Sequence, residues 1–578
     1  MPVTQPQPSP AAVPPWAWLA TAAAVAAQRT ALGFWPCDDA FITFRCAYNL
    51  AQHGQLAFNV GEPIFGCTTL AYAFALAALR LAGLSIPVAA AAWTAVADEA
   101  VCLLLLRLAR DSFGDFRWGL LAAALWLTHP LLALNGVAGM ETSTFVALLL
   151  AYVLACRTGR FGLGLALLAG LVATRPDGLA VAPVWLYAWL RTGRPRPALG
   201  PTLVAAGLAA SYLIFTLTTY GSPLPQSALA KAQACPATAG GPFVLALSFV
   251  ASISGLLSTW HWFLAPHFLL IPGLLYVVAR FRRQDATTQL LALAAVCHAG
   301  LFVLSARPCV MYFQWYYAPF LSLIILPALR GTPAVARRLR EALSGRADLY
   351  LLGLLSGGAL GYIGVVRPLY AFRETHGGWP AHVIPALIAG NEERLARFVF
   401  SVYLSFVVAF VVGCGIYWAL QLRPGRPLKW PRATPALAAA VFLAVALLPL
   451  LFDWEQMTLR YQRREAAYLQ LGAWAAANAP RGDWLGAKEI GAFGWGAREY
   501  RIYDELGLFT PAALRTDRPE WLPQFHPALV VGSSSLDVPL IKTPPQYDGY
   551  ETVRAGHTIV AVRDDLAARW HAAPPEVK

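Results

Sequence analysis

The sequence predicts a polytopic α-helical membrane protein with a C-terminal extracytoplasmic α/β domain. Three observations carry that prediction. Of the 578 residues, 58% are hydrophobic and only 13% charged, with a mean hydropathy of +0.53, whereas a soluble globular chain carries about 25% charged residues. The apolar residues gather into long runs, and crossing a bilayer as a helix takes roughly 17–25 residues. The basic residues are distributed unequally between alternate connecting loops, as the positive-inside rule requires.

Taken in order, the runs give about 13 transmembrane helices, near 13–35, 87–106, 118–134, 142–156, 161–175, 179–190, 199–219, 261–279, 287–305, 315–329, 348–366, 398–420 and 434–452. Runs 68–84 and 243–259 are also apolar. They read as helices lying on or re-entering the membrane, because counting either as a crossing breaks the charge alternation. With the N-terminus cytoplasmic, the inner loops hold 20 Lys and Arg residues, against 10 on the outer side before residue 453. This orientation places loops 36–86, 220–260 and 367–397 outside. Residues 1–12 are proline-rich, are expected to be disordered, and lack a basic n-region, so 13–35 reads as a retained span. The expected location is a cell (inner or plasma) membrane, crossed many times.

Residues 453–578 differ. Charge is denser and apolar runs are short: helix-like 455–478, closed by Pro480 and Gly482, then strand-like Trp484–Ala487, Arg501–Tyr503, Ala528–Gly532 and Thr558–Arg563. Alternating helix and strand patterns argue a small α/β domain outside the membrane. The net charge of +13 is dispersed in short clusters between apolar runs, which excludes a nucleic-acid-binding surface as its explanation. Nine cysteines show no CxxC or His-paired spacing, so no metal site is inferred.

Within this frame Pro36–Thr69 carries the densest chemistry. A helix over 38–53 would put Ala40, Phe41, Phe44, Ala47, Tyr48 and Ala51 on an apolar face. Asp38, Arg45, Asn49 and Gln52 would form a polar edge toward water. Two carboxylates, Asp38 and Asp39, with a guanidinium two turns on, suit deprotonation of a hydroxyl beside an anionic substrate. The plainer alternative makes Asp38 an N-cap and Asp39 a first-turn acid.

Further polar residues sit at the expected outer ends of spans. Glu141 lies in Gly139-Met140-Glu141-Thr142, and Arg175 and Asp177 lie in the tight turn Thr174–Gly178. Gln226 and Lys231 lie in the loop from Tyr220 to Lys231. Arg307 precedes the aromatic segment that includes Trp315 and Tyr316. Individually, Arg175 and Asp177 could simply pair, Lys231 could snorkel, and the aromatics could form an interface belt. All fall on one side of the membrane. Together they describe a cavity with carboxylates, cations and aromatic walls, fit for an anionic head group and a sugar.

The stretch DDAFITFRCAYNLAQHGQLAFNVGEPIFGCTT resembles the first external loop of GT-C class glycosyltransferases, and within them the branch of terminal arabinofuranosyltransferases of actinobacterial cell walls. GMET, TRPDG, YGSPLPQSALAK and EIGAFGWGAREYRIYDELGL (489–508) resemble further signatures of that group in the same order. The resemblance implies a GT-C-like fold and transfer of a sugar from a polyprenyl-phosphate donor to an acceptor hydroxyl on the outer face. The acceptor would be a cell-envelope glycan, a lipid or a protein. Asp38 and Asp39 match the acidic pair that supplies the catalytic carboxylate. Arg45 and Lys231 match basic positions suited to the donor phosphate, and Glu141, Arg175 and Asp177 match motif positions without an assigned role. Ile64-Phe65-Gly66, Pro225-Gln226-Ser227 and Trp315-Tyr316 depart from the branch pattern. No cofactor is implied beyond the donor, and nothing in the spacing supports a divalent cation.

Asp98 and Glu99 fall near the middle of the span 87–106. Intramembrane acids are costly and are normally paired or functional, and His129 and His298 are candidate partners. The pair supports a competing reading, a proton-coupled transporter. The paired broken spans of a common transporter are not seen. A receptor or scaffold built on residues 453–578 leaves the acidic pair without a role.

Overall fold

The computed structural model describes residues 13–234, 241–252, 270–307, 314–342, 463–514, 524–532, 548–555 and 558–575. The expected spans 348–366, 398–420 and 434–452, the outer loop 367–397 and the N-terminal 1–12 lie outside the described residues.

The chain starts with α1 (Pro15–Leu32), begun by a proline whose missing N–H would be unpaired there anyway. Next comes α2 (Asp38–His53), which ends at Gly54 in the left-handed region, φ 70°. Of the expected polar edge of α2, only Gln52 is open to water. Asp38, Arg45 and Asn49 are all buried, because the C-terminal part of the chain packs over that side. The apolar run after the first loop forms α3 (Leu70–Leu81), followed by the long α4 (Ile86–Phe113).

The expected span 118–134 is two helices, α5 (Arg117–Thr128) and α6 (Pro130–Val137), meeting at 70°. Proline disfavours the helical conformation of the residue before it, and His129 is extended at φ −66°, ψ 124°. Beyond it run α7 (Thr142–Arg157), α8 (Phe161–Thr174), a 3-10 turn at Pro176–Val181 and α9 (Ala182–Arg191). They are followed by α10 (Leu199–Tyr220), α11 (Gln226–Ala234), α12 (Gly241–Ser252), α13 (Leu270–Ala279), α14 (Ala286–Ser305) and α15 (Tyr317–Ala342). The last continues through residues 330–342, where the charge pattern predicts a loop. Among the described residues, α4, α10 and α14 are each long and apolar enough to cross a membrane, and the bent α5–α6 pair makes a fourth candidate.

The C-terminal part opens with a helix over 463–478, α16. Strands β1 (Trp484–Ala487), β2 (Arg501–Asp504), β3 (Leu529–Val531), β4 (Tyr550–Ala555) and β5 (Thr558–Arg563) form one sheet ordered β2-β1-β3-β5-β4. β1 pairs in parallel with β2 and β3, while β5 runs antiparallel to β3 and β4. The short α17 (Gly491–Gly496) lies between β1 and β2, and α18 (Asp564–Ala572) follows β5.

Among the described residues, two large apolar cores organise the fold. One joins α4, α5, α7, α14 and α15 around Trp126, Leu149, Tyr152 and Tyr317. The other runs from α2 and α3 directly into the sheet: Phe44, Phe58 and Tyr72 share it with Tyr468, Phe493, Ile502 and Val560. Burying a phenylalanine contributes about 1.5–3 kcal/mol, so Phe44, Phe58 and Phe493 alone bind the first loop firmly to the C-terminal layer.

Candidate active site

The adjacent carboxylates of α2 have different neighbours. Asp38 is buried at 4% exposure, and its Oδ2 and Oδ1 accept the backbone N–H groups of Gly491 (3.0 Å) and Ala492 (2.8 Å). These are first-turn donors of α17, which no residue of that helix can satisfy. Asp38 thus caps a helix far along the chain. The approach is close enough that a Cβ on Gly491 would lie 1.8 Å from the Asp38 carbonyl oxygen. The Asp38 N–H donates to Glu465 Oε1 at 3.2 Å, and Arg464 donates to the same oxygen. Burial pushes the Asp38 carboxyl up, with Arg464 and the two N–H groups pulling against it. Burial likewise raises Glu465 to about 6.

Asp39 is half-buried on another side of the helix. It lies within electrostatic reach of Lys231 and of Glu141.

Arg45 is turned inward at 1% exposure. Its Nε donates to the Phe58 carbonyl (2.7 Å), Nη1 to the carbonyls of Gly494 and Ala497, and Nη2 to Asn59 Oδ1 and the Tyr500 carbonyl. The guanidinium also lies 4.4 Å over the Phe58 ring. All five N–H directions end on protein acceptors, so the expected role at a donor phosphate gives way to a structural one.

Arg175 is the buried cation of the other cluster. It grips Asp177 with two bonds, Nε to Oδ1 at 3.0 Å and Nη2 to Oδ2 at 2.9 Å, and reaches Glu141 Oε1 at 3.5 Å. Its planar face lies 5.3 Å from the Tyr316 ring centre and 5.2 Å from that of Phe145. His298 Nε2 stands 3.4 Å from Asp177 Oδ2. Burial opposes the charge on Asp177, but Arg175 and His298 together outweigh it and hold the carboxyl below the ordinary range. Glu141 is pushed up by burial, which Arg175 offsets only in part.

Lys231, on α11, donates from Nζ to Tyr316 Oη at 3.1 Å. Burial disfavours its charge, yet Tyr316 and Asp39 more than compensate and raise it above the usual lysine range. Gln226, at the start of α11, donates from Nε2 to the Gly507 carbonyl at 3.2 Å. Arg307 donates to the Ala232 carbonyl, one residue from Lys231. The Trp315 and Tyr316 ring centres are 6.1 Å apart.

The structure therefore brings Glu141, Arg175, Asp177, Lys231 and Tyr316 together, with Asp39 within electrostatic reach of Lys231 and Glu141 and Gln226, Arg307 and Trp315 at their margin. Asp38 and Arg45 stand apart, at the seam with the C-terminal layer. His298, one of two candidate partners for the Asp98-Glu99 pair in the sequence, joins the cluster through Asp177 instead. A lone histidine in an apolar helix was the available signal, but nothing in the chain order names its partner. Asp98 instead forms an ion pair with Arg29 of α1, and Glu99 accepts from Thr21 Oγ1 at 2.8 Å. Among the described residues, no group of three or more His, Cys, Asp or Glu side chains is placed to hold a metal ion.

Residues 455–572 match a family described as a domain of unknown function, DUF8728. Among curated proteins no sequence match is found. Among solved structures, the chain superposes on ArnT from Cupriavidus metallidurans bound to undecaprenyl phosphate with a TM-score of 0.56, covering 95% of this chain and 98% of that one at 15% identity. The apo form of the same protein gives 0.53 over the same shares at 16% identity. The chain has an ArnT-like fold. The likeness to ArnT takes in the helical part and the C-terminal layer together, and at this identity it speaks for architecture alone.

Proposed function

We propose that the protein is an integral-membrane glycosyltransferase of the GT-C class, moving a sugar from a polyprenyl-phosphate-linked donor to an acceptor hydroxyl on the outer face of the membrane. The observation that carries this reading is the cluster of Arg175, Asp177, Glu141, Lys231 and Tyr316, with Asp39 within electrostatic reach of Lys231, in an ArnT-like fold. One of the ArnT structures in the comparison holds undecaprenyl phosphate.

In this reading Asp39 is the general base. As the acceptor oxygen bonds to the sugar carbon, its proton passes to the carboxylate and the bond to the phosphate oxygen breaks. The phosphate leaves as an anion, and the half-buried Lys231 and the buried Arg175 stabilise it. A desolvated cation at the site of developing charge is among the larger catalytic effects available. Asp177 and Glu141 fix Arg175, and Tyr316 orients Lys231. Glu141 Oε2 is buried without a hydrogen-bond partner among the described residues, leaving an acceptor for a sugar hydroxyl. Trp315 and Arg307 would border the sugar and the lipid phosphate. The finer form, an arabinofuranosyl-type donor, rests on the sequence resemblance alone. The proposed setting is a multi-pass cell-membrane protein with a cytoplasmic N-terminus and an outward C-terminal domain. Its proposed partners are the lipid bilayer and a glycan, lipid or protein acceptor.

The test is transfer of labelled sugar from defined polyprenyl-phosphate donors by the purified protein in detergent. Transfer from one such donor is expected. Absence of transfer across pentose and hexose donors, with proton-driven uptake in proteoliposomes, would instead favour the transporter.

A further inference from the structure

The helix that carries Lys231 is short, and its start is held by two other parts of the chain. α11 has nine residues, and isolated helices below about 12–15 residues are marginal in water. Its place must therefore come from its contacts. The Gln226 backbone N–H donates to the Phe65 carbonyl of the first loop at 2.7 Å. This is a first-turn donor that no residue of α11 can satisfy. The Gln226 side chain serves a second partner: Nε2 donates to the Gly507 carbonyl of the C-terminal layer at 3.2 Å. Behind it, Ser227 and Ala230 are buried while Ala228 and Leu229 are exposed.

The Gly507 carbonyl is presented by a turn that the sequence specifies closely. After β2, Asp504 Oδ1 accepts the N–H of Leu506 at 2.9 Å, and Oδ2 accepts that of Phe509 at 2.8 Å. The Gly507 N–H donates to the Asp504 carbonyl at 3.1 Å. Gly507 is left-handed, φ 74°, a conformation glycine adopts without steric cost. A Cβ there would also lie 2.6 Å from the Leu514 side chain. Phe509, at the end of the turn, stacks on Phe58 at 4.8 Å. Its ring lies so near Gly66 that a Cβ at that position would stand 2.5 Å away. One turn of the C-terminal layer thus grips the first loop and α11 together. Most of it falls in the stretch 489–508, whose side chains the proposed chemistry does not use.

We propose that this turn is a positioning element of the donor site: through Gln226 it fixes α11, and so sets where the Lys231 ammonium meets the donor's phosphate group. The proposal rests on the reading of Lys231 as a phosphate-binding cation, and it gives a role to the matched domain of unknown function. Lys231 follows Gln226 by five residues, about 7.5 Å along the helix. Its Nζ donates to Tyr316 Oη at 3.1 Å, and Arg175 lies 5.3 Å from the same ring. The two cations therefore converge only while α11 keeps its place beside Tyr316. A lysine stem is flexible, so a loosened α11 disperses the ammonium without unfolding the protein. Gln226 is a positioning residue, acting through Lys231.

The test is a double-mutant cycle on the full chain in detergent, reading affinity for a sugar-free polyprenyl phosphate by native mass spectrometry. Gln226→Leu removes the Nε2 donor at similar size. Gln226→Met, which keeps the length, is run beside it so that a folding defect peculiar to leucine does not decide the result. Loss of one such hydrogen bond is expected to weaken binding roughly three- to tenfold. No further loss is expected on the Lys231→Ala background, because residues that act through one another are not additive. Gln233→Leu, exposed on the same helix, should bind like the wild type. Wild-type affinity of both Gln226 variants beside a weakened Lys231→Ala would overturn the proposal and leave the phosphate reading standing. Equal losses with and without Lys231 would also overturn it, since Gln226 would then act by another route. Wild-type affinity of Lys231→Ala would strike the phosphate reading itself, and the proposal with it.

Discussion

Asp38 and Asp39 are adjacent in sequence, yet α2 points them at different neighbours. Replacing Asp38 with Asn leaves one oxygen for two converging N–H donors, and an unsatisfied buried donor costs about 1–3 kcal/mol. Asp38→Asn is therefore expected to lower the thermal midpoint while turnover per folded molecule survives. Arg45→Ala strands several buried carbonyls at once and is expected to destabilise by about 3 kcal/mol, the upper end of ordinary substitutions. Arg45→Lys should not rescue it, since a point-like ammonium cannot serve five divergent acceptors. Denaturant or thermal unfolding of the three variants checks both expectations. The chemistry of the first loop was legible in the sequence because its residue types are unusual for an apolar chain. Which acid faces the cluster was not, because Asp38 is fixed by partners 453 and 454 positions away. Arg45 read as a phosphate ligand for the same reason: the carbonyls it serves, apart from Phe58, come from the C-terminal part of the chain.

Among the elements, hydropathy located most helices, and the corrections have physical causes. Pro130 splits an apparent span into α5 and α6. β4 was missed because it lies at the edge of the sheet and carries charged residues, Glu551 and Arg554, where an apolar alternation was sought. The contact of α1 with α4 through Arg29 and Asp98 was unreadable, since no periodicity says which helices pair. Removing one partner of a buried ion pair destabilises by about 3–5 kcal/mol. Arg29→Ala is accordingly expected to cost much of that, with Asp98→Ala on the same background restoring part of it in a double-mutant cycle. A second expectation concerns the loop after β2. Asp504 accepts the N–H groups of Leu506 and Phe509, and burial raises its carboxyl from the ordinary 3.8 to about 7. Between those pH values the folded state holds a proton that the unfolded state has lost. Stability therefore falls as pH rises through that window and levels off above it. Unfolding across pH 4 to 8 should show this decline, and Asp504→Asn should flatten it.

At the scale of the whole molecule, one core runs from α2 through the C-terminal sheet, so both must lie on the same side of any membrane. Composition made the membrane class plain, and the charge bias predicts an orientation. Neither could show that the first loop and the C-terminal layer interlock. A cysteine-accessibility scan should label positions across 463–514 from outside only and 330–342 from inside only. Labelling of both from one side would contradict the proposed topology. The central claim is that Asp39 takes the acceptor proton while Lys231 and Arg175 hold the donor phosphate. The most direct measurement is donor affinity and turnover for Asp39→Asn beside Lys231→Ala. A positioned base contributes about 10²–10⁴-fold, so Asp39→Asn should lose at least about two orders of magnitude in turnover with donor affinity near that of the wild type. Lys231→Ala should lose donor affinity itself. Near-normal turnover of folded Asp39→Asn would contradict the account.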